Sequence, residues 1–280
     1  MAGAEEPAVA CRGLRYRFGE TLAVDGVDMT VRAGEIFGLL GPNGAGKTTT
    51  IRAIITLLPV PLGVITVFGR DVAKRQMAVR RMIGYVPQQL SADGSLTGVE
   101  NVSLFARLFD VPRQVRGQQV SAALELMGLS DVSQRLAGTY SGGMIRRLEL
   151  AQALVSSPRL LILDEPTIGL DPVARAGVWE RIVAVREQTG MTVLVTTHYM
   201  DEAEQTCDRV ALMHRGTIRA LGTPAELIAG LAGQSGQLAS ELSLDDVFRA
   251  YSGADSIQDE EPQGGIASVR ATRRTARRVG

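Results

Sequence analysis

Ile36-Phe37-Gly38-Leu39-Leu40-Gly41-Pro42-Asn43-Gly44-Ala45-Gly46-Lys47-Thr48-Thr49 is the stretch on which the reading of this chain turns. An apolar run stops at a glycine-rich segment that ends in lysine and threonine. From Gly41 the spacing is glycine, four residues, glycine, lysine, threonine, the pattern of a phosphate-binding loop. Glycines let backbone N–H groups close around an anion without a Cβ in the way. A helix expected from about Thr48 turns its positive end toward the same anion. Lys47 is placed to reach the β- and γ-phosphates of a nucleotide, and the Thr48 hydroxyl to ligate Mg²⁺. A glycine-rich turn with no ligand is the plainer alternative. An expected strand before the loop and helix after it argue for the nucleotide.

Three further apolar runs stop in the same way. Ile83 to Val86 passes through Pro87 to Gln88, Leu160 to Leu163 reaches Asp164 and Glu165, and Val193 to Thr197 reaches His198. Continuous apolar runs of this length suit strands buried on both faces, as in a parallel sheet. In such sheets ligands bind beyond the carboxyl ends of the strands. All four polar groups are therefore expected at one site. Asp164 suits a Mg²⁺ ligand acting through water. Glu165 suits the group that activates or orients an attacking water. Alone, two strand-end acids are as readily capping or solvated groups; the upstream loop favours the catalytic reading.

Outside these runs the pattern changes. Leu14, Tyr16 and Phe18 alternate with Arg15 and Arg17, and Val27 to Val31 alternates likewise, as half-exposed antiparallel strands do. Val210 to Met213 and Thr217 to Leu221 flank Arg215-Gly216 as a late hairpin. Residues 97–156 read as mostly helical, over Val99 to Phe109, Gln118 to Met127 and Gly142 to Val155. Thr223-Pro224-Ala225-Glu226 reads as a capped helix start with proline at its first position. The uncharged stretch between Arg52 and Arg70 is short for a bilayer span of about 20 residues. It also carries Pro59, Pro61 and Gly63, so it reads as a helix end followed by a strand.

Composition narrows the classes. With 45% apolar residues over 280 positions, the chain has material for a core without disulfide or metal staples. Thirty basic and thirty acidic side chains leave no net charge, which disfavours a general nucleic-acid binder. The two cysteines, Cys11 and Cys207, form no Cys-x-x-Cys pair, so a reduced, intracellular chain is expected. Glu5, Glu6 and Pro7 precede no apolar run of the secretory kind. Beyond Ser252 the composition reads as a disordered tail, ending in Arg270, Arg273, Arg274, Arg277 and Arg278. These arginines could touch anionic head groups, but a solvated tail is the plainer reading.

Tyr140-Ser141-Gly142-Gly143-Met144 resembles the signature of ATP-binding cassette (ABC) transporter ATPases, usually leucine-serine-glycine-glycine-glutamine. Ser141 reads as a helix N-cap, with Gly142 and Gly143 baring backbone donors at the positive end of the helix. Tyr140 and Met144 depart from the family. Met144 cannot complete a capping box as glutamine can, and it is similar to the exporter ATPases of the ABC-2, daunorubicin-resistance group. The resemblance covers about residues 8 to 225. It implies an α/β fold: a P-loop NTPase with a RecA-like parallel-sheet core, an antiparallel β subdomain and a helical signature subdomain at about 97–156. A C-terminal helical segment at 226–252 and the tail at 253–280 would follow. It further implies that Phe18, with Tyr16 as its rival, stacks on adenine. Gly41, Pro42, Asn43, Gly44, Ala45, Gly46, Lys47, Thr48 and Thr49 would hold the phosphates, and Thr48, Gln88 and Asp164 Mg²⁺. Of the catalytic set Glu165, His198, Gln88 and Lys47, Lys47 and His198 would contact the γ-phosphate, Glu165 would act on the attacking water, and Gln88 would contact Mg²⁺ and water and sense the membrane domain. Ser141, Gly142, Gly143 and Asp171 would face nucleotide held by a second copy. Asp171 also reads as a helix cap ahead of Pro172. Leu244-Asp245-Asp246-Val247-Phe248 is similar to a C-terminal segment of the ABC-2 group, and reads equally as a short amphipathic helix.

The resemblance thus implies an ATPase that binds ATP and Mg²⁺, pairs as a homodimer and drives a separate transmembrane permease. It would sit peripherally on the cytoplasmic face of the cell membrane, exporting a drug-like, antibiotic or lipid-like compound, with no nucleic acid expected. A soluble ABC ATPase of translation or repair is less well matched. The former usually carry two cassettes and the latter long coiled coils, neither of which fits here. A non-hydrolysing regulator has little need of both Glu165 and His198. An importer ATPase often has a longer regulatory extension than the segment after Leu227.

Overall fold

The computed structural model describes residues 6–252. The arginine-rich tail read as disordered, at 253–280, lies outside the described residues. Six strands form the central sheet: β3 (Ile36–Leu40), β6 (Ile83–Val86), β7 (Leu160–Asp164), β8 (Thr192–Thr197), β9 (Arg209–His214) and β10 (Thr217–Gly222). Their spatial order is β10-β9-β3-β8-β7-β6, parallel except for β10, which pairs antiparallel to β9 as the expected hairpin. The four apolar runs are therefore adjacent parallel strands whose carboxyl ends share one edge.

Their unbroken apolarity follows from having a core on each face. Leu161 and Leu163 point into one core, Leu160 and Ile162 into the other, and Val193, Val195 and Leu194 divide likewise. The second core is closed by a four-stranded antiparallel sheet, β2-β1-β4-β5. It comprises β1 (Val9–Phe18), β2 (Thr21–Val31), β4 (Ile65–Val67) and β5 (Arg70–Asp71). Leu14, Val27 and Met29 face inward from it with α1 (Lys47–Ile54). Arg15 and Arg17 face solvent, as the alternation requires.

Helices close the first core: α3 (Gly98–Leu108), α4 (Arg113–Leu126), α5 (Gly142–Leu154) and α6 (Pro172–Thr189). Thr97 caps α3 in a complete capping box with Glu100, and Thr223 does the same with Glu226 at α8 (Pro224–Ser235). α4 starts at Arg113, five residues earlier than apolar periodicity indicates. Pro112 fits just ahead of a helix, where no amide hydrogen is required. In the first turn that follows, Val115 is apolar but exposed among polar neighbours, so no apolar face marks the start. Three other short elements had no clear signal: α2 (Gln76–Arg80), α7 (Met200–Thr206) and β5. Leu244 begins a short helix, α9 (Leu244–Ser252), that buries Leu244 and Val247 against α7 and α8. Both cysteines are buried and free, and burial pushes each thiol up to about 12, so neither is a ready nucleophile. Among the described residues no helix is long and apolar enough to cross a membrane.

Gly84 shows how closely α5 lies on the sheet. A Cβ there would stand 2.5 Å from the Ala153 carbonyl oxygen. Gly84→Ala should cost about 1–3 kcal/mol in denaturant unfolding, because the backbone must move. Gly117→Ala, in open space on α4, should instead stabilise by about 0.5–1 kcal/mol by lowering the entropy lost on folding.

Candidate active site

The loop after β3 is shaped by what surrounds its glycines. Gly41 lies so close to the Met213 carbonyl oxygen that a Cβ would be 2.1 Å from it, and Gly46 adopts φ 105° beside the Ala23 carbonyl. The loop is held from behind by the β9–β10 turn, where the Gly216 amide donates to the Ala45 carbonyl at 2.9 Å. Gly46 then serves as the N-cap of α1. The first amides of a helix have no carbonyl partner within it, which suits them to an anion. Beyond the loop opens a cleft of about 250 Å³ lined by Phe18, Ala23, Pro42 to Thr49, Gln88 and Glu165.

Lys47 is buried, and its ammonium donates to the carbonyls of Gly41 at 2.6 Å and Pro42 at 3.2 Å. It also pairs with Glu165 Oε1 at 3.0 Å. The other carboxylate oxygen of Glu165 lies 2.9 Å from His198 Nδ1. Asp164 Oδ1 accepts from Thr196 Oγ1 at 2.6 Å and Thr48 Oγ1 at 3.2 Å. Thr48 and Asp164 thus set two hard oxygen donors side by side at the cleft, with Gln88 on its wall, a donor set that suits Mg²⁺. Glu165 is a non-glycine residue at φ 52°, in the left-handed region, which costs about 1–2 kcal/mol. Its amide is anchored to the carbonyl and hydroxyl of Thr196 at 3.1 and 3.0 Å.

The structure brings Phe18, the Gly41–Thr49 loop, Gln88, Asp164, Glu165 and His198 together. Phe18 is 47% exposed at the mouth of the cleft, whereas Tyr16 packs behind it, ring centroids 4.9 Å apart, against the core. Ser141, Gly142, Gly143 and Asp171 do not line this cleft. They form a second surface, with Gly142 against Leu170 and Gly143 against Ala174. Ser141 accepts from the Met144 amide at 3.3 Å, so the cap survives without glutamine. Asp171 caps α6 through the amides of Val173 and Ala174. Tyr140 donates its hydroxyl to the Val132 carbonyl at 2.7 Å, in a space left open by Gly98, where a Cβ would be 2.5 Å from the Tyr140 hydroxyl oxygen.

These features meet in one family, and the sequence matches it directly. Residues 24–168 match the ABC transporter family. The chain belongs to that family. It is 46% identical over 224 residues to the daunorubicin/doxorubicin resistance ATP-binding protein DrrA of Streptomyces peucetius, covering 80% of this chain and 68% of that one. It is 44% identical over 217 residues to the Nod factor export ATP-binding protein I of Burkholderia lata, covering 78% and 71%. A solved structure of an ATP-binding subunit of an ABC transporter superposes with a TM-score of 0.73 at 28% identity, over 86% of this chain and 98% of that one. The present chain is accordingly an ABC ATPase that binds and hydrolyses ATP.

Sequence reasoning missed the supports of this ABC site. Glu202 is buried and accepts from Trp179 Nε1 at 2.7 Å and Thr167 Oγ1 at 2.8 Å, and pairs with Arg175 at 3.1 Å. Arg175 stacks on the Tyr199 ring, which stacks on His198. This chain of contacts ties the start of α6 to the residue beside Glu165. Burial pushes the Glu202 carboxyl above its ordinary range, and its hydrogen bonds offset that only in part. Its one sequence signal, an acid on the inward face of a short helix, is too faint to read alone.

Burial also pushes the Glu165 carboxyl up, but the hydrogen bond from His198 and the charge of Lys47 outweigh it and hold the pKa below its ordinary value of 4.5. A carboxyl lowered on folding adds stability that is fully present above its unfolded value and is lost as pH falls through its folded one. Glu165→Gln should therefore flatten the acid limb of the stability–pH curve below about pH 4.5, measured by denaturant unfolding without nucleotide.

Proposed function

We infer that this ABC ATPase is the motor subunit of an ABC-2-type exporter. It works as a homodimer and drives a separate transmembrane permease. The observation that carries the reading is the division of functional groups between two surfaces. Lys47, Thr48 and Glu165 line the cleft, with Asp164 bonded to Thr48 and His198 to Glu165, while the Ser141 turn and Asp171 stand on another surface. A second copy, turned head to tail, would lay its Ser141–Gly143 donors over nucleotide held in the first cleft. Residues 8–225 would form the cassette and 226–252 an accessory segment. Relatives named for export of Nod factor and resistance to daunorubicin support export over import. By that analogy the cargo is a drug-like, antibiotic or lipid-like compound.

In this reading Lys47 neutralises the β- and γ-phosphates and Phe18 stacks on the base. Mg²⁺, held by Thr48 and Asp164 with Gln88, would draw charge from the phosphate oxygens. The γ-phosphate competes with Glu165 for Lys47, freeing the carboxylate to take a proton from the attacking water. His198, hydrogen-bonded to the same carboxylate, orients it and reaches the γ-phosphate. An apolar groove of about 420 Å³ lies along β6 and α3, lined by Leu57, Ile83, Tyr85, Pro87, Phe105 and Phe109. It adjoins the Gln88 segment, which supports a seat there for the permease, from which it would sense the cleft with the chain held peripherally on the cytoplasmic face of the membrane.

Glu165→Gln should bind ATP, accumulate as an ATP-bound dimer, and lose turnover by about 10²–10³-fold or more. Size-exclusion chromatography with scattering and steady-state ATPase assays check this, and near-normal turnover would sink the assignment. Purified from its own membranes with ATP and Mg²⁺, the same variant should bring down a polytopic membrane protein in about equal amount. Recovery of soluble partners or ribosomes alone would overturn the exporter.

A further inference from the structure

α5, which begins at the Ser141 cap, carries two charged side chains into the core. Arg146 and Glu149 are 3% and 2% exposed and pair at 2.8 Å. Arg146 Nε donates to the Pro166 carbonyl at 2.6 Å. One terminal nitrogen donates to the Pro87 carbonyl and to Glu149, each at 2.8 Å. The other donates to the carbonyls of Glu165 at 2.9 Å and Asp164 at 3.4 Å. All five N–H groups of the guanidinium thus have acceptors. Glu149 extends the contact by accepting from the amide and hydroxyl of Ser91.

Three consecutive carbonyls, those of Asp164, Glu165 and Pro166, converge on this one cation. An extended chain cannot present them so, because its successive groups alternate in direction. The turn at Glu165, with φ 52°, makes the convergence possible. The same turn aims the carboxylate at Lys47 and His198. Pro87 and Ser91 bracket Gln88, so the pair also holds both ends of the segment that borders the apolar groove.

We propose that Arg146 is a positioning residue for hydrolysis: it holds the Glu165 turn in its left-handed form and, with Glu149, ties that turn to the Gln88 segment. The proposal rests on the reading of Glu165 as the water-activating group. Lysine cannot replace arginine here, because three donors on a flexible stem do not match five acceptors spread in a plane. Arg146→Lys keeps the charge and loses the grip.

The test uses the full chain and measures ATPase kcat and KM, binding of a fluorescent ATP analogue, and thermal unfolding. Arg146→Lys should lower kcat by about 10²-fold, as expected for a displaced catalytic group. KM and analogue binding should stay within about twofold, the pattern of an interaction needed only in the transition state. Normal kcat, or a loss of analogue binding as large as the loss of kcat, overturns the proposal. Should Arg146→Lys not fold, the charge-balanced Arg146→Gln/Glu149→Gln pair decides on the same criteria. Failure of both to fold assigns the pair to the core alone and overturns it as well. Glu165→Gln, assayed beside them, separates the two readings. If it turns over ATP normally, the Glu165 assignment fails. If it is inactive while Arg146→Lys is normal, only the positioning role fails.

Discussion

A lysine ammonium cannot be buried without partners, and that constraint organises the site. Lys47 is 5% exposed. Leaving such a charge uncompensated would cost several kcal/mol. Its partners come from two strands: the carbonyls of Gly41 and Pro42 after β3, and Glu165 after β7. Those ends converge only because β3, β8 and β7 are neighbours in a parallel sheet. The sheet in turn requires apolar residues on both of its faces, which is why each strand reads as an unbroken run. Core, sheet order and phosphate loop are one set of dependencies ending at a single nitrogen.

The parts visible in sequence are those with a local cause. Strand runs, the Gly41–Thr48 spacing, the Ser141, Asp171 and Thr223 caps, and the late hairpin each follow from neighbouring residues. The carboxylates of Asp164 and Glu165 were legible as strand-end groups, and the rule that ligands gather at carboxyl ends placed them. What remained hidden depends on distant residues. Arg146 and Glu149 sit among ordinary helix formers, and their meaning comes from Pro87, Ser91 and Pro166, far away in the chain. Glu202 is hidden for the same reason, since its partners lie elsewhere, Arg175 and Trp179 on α6 and Thr167 in the loop before it. The first turn of α4 was missed because a solvated turn has no apolar pattern.

The departures at Tyr140 and Met144 illustrate how a signature can vary without losing its donors. The serine hydroxyl and the following amides do the capping, so the fifth position is free to become apolar and pack on the core. The first position is set by its pocket, and the phenol of Tyr140 fits because Gly98 has no side chain.

The chain contains one tryptophan, Trp179, and its indole N–H rests on the carboxylate of Glu202. Indole emission responds to a nearby charge and to loss of a hydrogen bond. Any shift of α7, which begins just after His198, against α6, which begins just after Asp171, changes both at once. The protein therefore carries an optical reporter, without added dye, at the seam between the residue on Glu165 and the helix that begins at the second surface.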